Sequence, residues 1–124
     1  MKTHPSELYF YHSPSQVVDK QTLAYAKSVA QFVNTIDLSK ERLTATQWHS
    51  LLIKLNLRAK DLLNRASPDY QRHIAGKNWD DESWLNILIK YPNLIKAPIA
   101  SLRGSAVLCQ TPTDILKLNS MHLA

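Results

Sequence analysis

The sequence predicts an α/β fold: a mixed four-stranded sheet in the order β-α-β, helical insert, β-β-α, with helices on both faces. Three features carry that expectation. An apolar, aromatic run is followed by a helical stretch and a second strand-like run. The middle of the chain has helical periodicity. Near the end, two short apolar runs flank an Arg103-Gly104 turn and lead into a last helix start.

The first strand is read at Leu8-Tyr9-Phe10-Tyr11, which enters a loop at His12-Ser13-Pro14-Ser15. From Asp19 to Gln31, Leu23, Ala26 and Ala30 share one helical face, and Asp19 is placed to cap the start. Phe32 to Asp37 reads as the second strand. Strand, helix, strand in that order implies a parallel pair with a right-handed crossover. Thr44 or Thr46 opens a helix carrying Trp48, Leu51, Leu52 and Leu55 at i, i+3, i+4 and i+7. Ala59 to Leu63 forms a shorter helical turn. Ser67-Pro68-Asp69 starts another helix, with proline at its first position, and Gly76 falls in a helix end at His73 to Lys77. Asp80 and Asp81 favour a helix start through the macrodipole. That helix carries Trp84, Leu85, Leu88 and Ile89 on its apolar face, and Tyr91-Pro92 ends it. Ala97 to Leu102 and Ser105 to Cys109 read as an antiparallel hairpin. Thr111-Pro112-Thr113-Asp114 begins the last helix.

At 124 residues with 44% hydrophobic residues, the chain reads as one domain, 1–124, with the helical insert at about 44–91. No apolar run approaches the roughly 18–20 residues of a membrane span. The start, Met1-Lys2-Thr3-His4-Pro5, has no apolar core of a signal peptide, so a cytoplasmic protein is expected. One cysteine, Cys109, excludes an internal disulfide, a Cys-x-x-Cys pair and a cysteine-rich zinc site. The net charge of +5 is spread along the chain with acids between. No nucleic-acid motif accompanies it, so it reads as solvated surface with a preference for acidic partners.

The order of elements matches the thioredoxin fold, and particular residues narrow the resemblance. Tyr91 through Leu118, with Leu94-Ile95-Lys96-Ala97-Pro98-Ile99, the hairpin and the Pro112 helix start, resembles the end of the arsenate reductase, Spx and YffB family. Tyr11-His12-Ser13-Pro14 followed by Thr22-Leu23 resembles that family's Tyr-His-Asn-Pro-x-Cys-x-Lys-Ser-Arg-x-Thr-Leu. Leu57 to Tyr70 resembles its arginine-bearing insert. The likeness runs from about Leu8 to Leu118.

Arsenate reductases of this glutaredoxin-related family need a low-pKa cysteine at the start of a helix, where backbone N–H groups and the helix dipole stabilise the thiolate. Arginines then clamp the oxyanion. The resemblance places Gln16 at the nucleophile's position, with Val18 and Lys20 at the positions after it. Asn64, or Arg65 if the register slips by one, falls at the insert arginine. Ala97 replaces the arginine before the proline, and Gln110 the one after the hairpin. A carboxamide is no nucleophile here, and most of the anion clamp is missing. Oxyanion reduction by the family mechanism is therefore not expected.

The remaining candidates have ordinary readings beside the functional ones. Pro98 matches the family's cis-proline; a cis bond would let the Ala97 backbone pair with a thiol peptide, or would survive only because the sheet needs the kink. Cys109 lies beside the expected clamp, but buried cysteines are common and no cation is adjacent in sequence. His12 has only Ser13 and Ser15 nearby as nucleophiles and no acid to orient it, so loop architecture explains it. His4, His49, His73 and His122 show no metal-ligand spacing. Trp48, Trp79 and Trp84 read as packing residues.

These readings point to a non-catalytic binding or regulatory module, monomeric and acting on a protein partner as the Spx branch does, with a groove of His12, Ser13, Ser15, Gln16, Ala97, Pro98 and Gln110. The alternative is a glutathione-dependent oxidoreductase or glutathione binder using Cys109 and the Ala97-Pro98 groove. No metal, direct nucleic-acid contact or membrane is expected in either case, and no cofactor other than the glutathione of the alternative.

Overall fold

The central strand, β1 (Glu7–His12), is almost wholly buried, as its run of Leu8, Tyr9, Phe10 and Tyr11 requires. The structure is a computed structural model and describes residues 7–13 and 20–118. After β1 come helix α1 (Lys20–Val29) and strand β2 (Phe32–Asp37), which pairs in parallel with β1 from Glu7↔Phe32 to His12↔Asp37. On the other side of β1 lies β3 (Ile99–Leu102), antiparallel, with Tyr11 opposite Ile99 and Leu8 opposite Leu102. β4 (Ser105–Leu108) pairs antiparallel with β3. The sheet order is β2-β1-β3-β4, a thioredoxin-like mixed sheet. In the hairpin turn the left-handed residue is Arg103, at φ 58°, and not its glycine neighbour.

The insert supplies the helices of one face. α2 (Ala45–Leu55) starts at Thr44, whose hydroxyl accepts the Gln47 N–H at 3.2 Å while the Gln47 side chain accepts the Thr44 N–H at 2.8 Å. This reciprocal capping box satisfies two N–H groups a helix start leaves open. Asn56 closes α2 in the left-handed conformation. After a 3-10 turn at Ala59–Leu62 come α3 (Pro68–His73) and α4 (Asp81–Lys90), the latter capped by Asp80 accepting the Ser83 N–H at 2.8 Å. The insert is fastened to the segment entering β3: Asn64 N–H donates to the Leu94 carbonyl at 2.7 Å, Lys96 N–H to the Leu62 carbonyl at 2.8 Å, and Leu63 bridges Ile95.

Alternation along the strands divides the apolar residues between two layers. Tyr9, Tyr11, Ile99, Ala106 and Leu108 face the insert and pack with Trp48, Leu51, Leu62, Leu88 and Leu94. Leu8, Phe10, Ala100 and Cys109 face the other way, against Ala26 of α1 and against Ile115 and Leu118.

The predicted elements are all present, with adjusted ends. α1 stops at Val29, and the expected cap Asp19 lies outside the described residues. β3 begins at Ile99, and β4 ends at Leu108, leaving Cys109 just past the strand. The last helix begins as a 3-10 turn, Pro112–Leu116, because Thr111 and Asp114 close a tight capping box there. The expected cis bond at Pro98 is corrected: among the described residues no peptide bond is cis, and Ala97–Pro98 is trans. The preference of an X–Pro bond for trans is about 0.5–1 kcal/mol, and the trans chain still delivers the Pro98 carbonyl to the Cys109 N–H at 2.7 Å. No helix among the described residues is long and apolar enough to cross a membrane.

Candidate functional site

The sheet gathers part of the predicted groove at the carboxyl end of β1. Carrying the β1–β3 register one step past Tyr11↔Ile99 sets His12 beside Pro98. The hydrogen bond from Cys109 to Pro98 then continues the β3–β4 ladder. His12 ends β1, and Pro98 and Cys109 adjoin the neighbouring ends of β3 and β4, so the three belong to one end of the sheet. Ser15 and Gln16, with Pro14 and Val18, lie outside the described residues, as do His4 and His122.

His12 lies on the α1 side of the sheet with its ring 6.3 Å from that of Phe10. Its Nδ1 is buried and makes no hydrogen bond among the described residues. Ser13 is fully buried, so its hydroxyl is not presented to a solvent-borne substrate. One acid that the sequence does not single out stands next to His12: Asp37, its partner in the β1–β2 register. The signal for it is the parallel pairing itself, which aligns the last residues of both strands. Asp37 does not act on the imidazole, however. One carboxylate oxygen accepts the Ser39 hydroxyl at 2.7 Å and the Ser39 N–H at 2.9 Å. Those bonds, the hydroxyl first, hold the Asp37 carboxyl below its usual range, with His12 a lesser contributor. Among the described residues no acid–base relay is assembled at His12.

Cys109 is 5% exposed. Its thiol is pushed up to about 12, first by burial and then by the negative charge of Asp114; an N–H bond from Ala100 and the Lys117 ammonium only partly offset this. Lys117 is engaged with Asp114 at 3.1 Å, which spends its charge on the carboxylate. A thiol with that pKa has about one part in 100,000 as thiolate at pH 7.

Of the positions that the resemblance assigns to the clamp, Arg65 alone carries a charge. Ala97 is buried in the insert-side layer, and Pro98 is half-buried. Gln110 is exposed, its N–H bonded to the Leu108 carbonyl at 3.1 Å. Asn64 and Arg65 are exposed; the Asn64 side chain accepts the Ala66 N–H at 3.1 Å.

Solved structures share this arrangement of strands and helices. An arsenate reductase from Vibrio cholerae superposes with a TM-score of 0.79 at 19% identity, covering 92% of this chain and 98% of that one. The fold is that of the arsenate reductases. A proposed arsenate reductase from Yersinia pestis gives 0.78 at 20% identity, covering 89% of this chain and 98% of that one. A YffB protein gives 0.63 at 15% identity, covering 94% and 99%. No protein-family model matches the sequence, and no curated protein sequence matches it. The fold is therefore shared by sequences that are at most 20% identical to this one among the three structures named.

All three tryptophans pack, as their place in the sequence predicts. Trp48 is buried; Trp79 and Trp84 meet edge to face with centroids 6.3 Å apart.

Proposed function

We propose that this chain is a divergent relative of the arsenate reductase and YffB proteins that has given up thiol chemistry and serves as a non-catalytic binding or regulatory domain. The observation that carries this reading is that the only cysteine in the sequence is buried and protonated. Oxyanion reduction in this fold needs a thiolate that attacks the oxyanion and leaves as part of a disulfide. Gln16, at the aligned nucleophile position, has a carboxamide that cannot take that role. The uncharged Ala97 and Gln110, at two clamp positions, support the same conclusion, because an oxyanion there would meet no guanidinium.

Glutathione-dependent chemistry through Cys109 is the competing reading. In its favour, the hydrogen bond from Cys109 to the Pro98 carbonyl sets the thiol's backbone at the groove. Burial of the sulfur and its high pKa weigh against it.

Arsenate reduction, followed with glutathione and a glutaredoxin as electron donors, tests the proposal. No turnover above the uncatalysed rate is expected. Turnover that disappears in Cys109→Ser would overturn the reading and leave the glutathione-dependent one. A glutathione titration followed by amide shifts at His12 and Cys109 reports whether the groove is used at all.

A further inference from the structure

A second concave site lies in the insert and uses none of the residues at the end of β1. It is a cleft of about 300 Å³ between α3 and α4. Its floor is apolar, from Ile74 and Ile87. Trp79 forms a wall, held in place by its indole N–H donating to the Ile74 carbonyl at 3.0 Å. Along one face of α4, Ser83, Asn86 and Lys90 line the cleft at i, i+3 and i+7, offering a hydroxyl, a carboxamide and an ammonium on three successive turns.

The charge lining this cleft is of one sign. Lys90 reaches over the Tyr91 ring, 5.5 Å from its centroid, and Tyr91 is stacked on His73 at 6.4 Å. Lys77 is not itself a lining residue, but its ammonium lies 5.7 Å from the centroid of the ring of Trp79, which is one. No carboxylate lines the cleft, and neither lysine is in an ion pair among the described residues. Asp80, beside Trp79, is turned to the start of α4, where it accepts the Ser83 N–H. The cation–π contacts hold two ammonium groups near the cavity without neutralising them. A groove between α2 and α4 differs on each count: its Arg58 is paired with Asp81 at 2.9 Å, and nothing shows what would cover its exposed Ile53.

We propose that the α3–α4 cleft binds a phosphate monoester carrying a flat ring, of the size of a nucleoside monophosphate. The phosphate dianion meets Lys90 and Lys77, with Ser83 and Asn86 donating to its oxygens. The ring lies on Ile74 and Ile87 against Trp79. The cavity is at the small end of the about 300–1,000 Å³ range of ligand sites, which suits a mononucleotide.

Titration of the whole protein with purine and pyrimidine nucleoside monophosphates, read by amide and indole N–H resonances, tests this. At least one of them should shift Trp79, Ser83, Asn86 and Lys90 together, in the micromolar to low millimolar range. The matching nucleoside and inorganic phosphate should each bind about tenfold or more weakly. Lys90→Ala and Lys77→Ala, both exposed positions, should each weaken binding about tenfold with unchanged circular dichroism, and Lys90→Arg should retain most of it. Absence of shifts in this cleft with every monophosphate at millimolar concentration would overturn the proposal. So would equal binding of inorganic phosphate, or wild-type affinity in both alanine variants. None of these outcomes bears on Cys109.

Discussion

The two layers against the sheet differ in scale and in what they leave accessible. Under the insert, Trp48, Leu62, Leu88 and Leu94 are each almost fully buried and interlock with Tyr9, Tyr11 and Ile99. Under α1 the layer is shorter and rich in small side chains: Ala26, Ala100 and Cys109 lie among Leu8, Phe10, Ile115 and Leu118. The first layer holds the fold together. The second adjoins the end of β1, and its thiol is used as a small apolar residue. Lying beside a functional groove does not make a cysteine functional; solvent and a neighbouring cation do, and Cys109 lacks the first and has only a Lys117 engaged elsewhere.

The largest effect expected from this comparison is on stability. Trp48→Ala should cost about 3–5 kcal/mol in urea unfolding, because it empties the centre of the larger layer. Ile115→Val, which trims the smaller layer, should cost about 0.5–1.5 kcal/mol. Combining Ile115→Val with Trp48→Phe should give additive losses within about 0.5 kcal/mol, since the two side chains belong to separate layers. A larger coupling would merge the two layers into one core.

Alkaline pH separates the layers chemically. Tyr11 in the larger layer is raised from 10.0 to about 12 by burial, with smaller contributions from Tyr9 and Glu41. Cys109 in the smaller one is raised from 9.0 to about 12. Both groups keep their protons more tightly folded than unfolded. Their stabilising effect is therefore complete below about pH 9 and is lost as the pH rises towards 12. Unfolding midpoints measured across that window should fall. Cys109→Ala should flatten the early part of the decline, from pH 9, and Tyr11→Phe the part above pH 10. A decline unchanged in both variants would contradict the assigned burial.

An effect of the size expected for Ile115→Val belongs to the insert's edge. Thr44→Ala removes half of the capping box and should cost about 1 kcal/mol, read from the unfolding midpoint.

Much of this architecture is legible in the residues. The bounds of Phe32–Asp37 can be read because its β-forming run ends in a turn, and Pro68 marks α3 because proline at a first helical position loses no hydrogen bond. Between Thr44 and Thr46 composition does not choose; the fold uses Thr44, and Gln47 three residues on is the available clue. Cys109 is readable as an apolar residue by type, but its burial depends on Ile115 and Leu118 folding over it. Asp37 beside His12, and the convergence of Trp79 with Lys90, are not legible, because both result from pairing of segments apart in sequence. The trans Ala97–Pro98 bond shows the limit of reading geometry from a motif: Leu94 to Ile99 keeps the pattern, while the clamp residue at Ala97 and the bond itself depart from it.

The most direct test is the reaction of the native protein's single thiol with a chromogenic disulfide at neutral pH. The account predicts slow release limited by opening of the α1-side layer, turning fast and stoichiometric once denaturant is added. Stoichiometric release from the folded protein at the rate of a free low-pKa thiol would contradict it and restore Cys109 as a reactive centre.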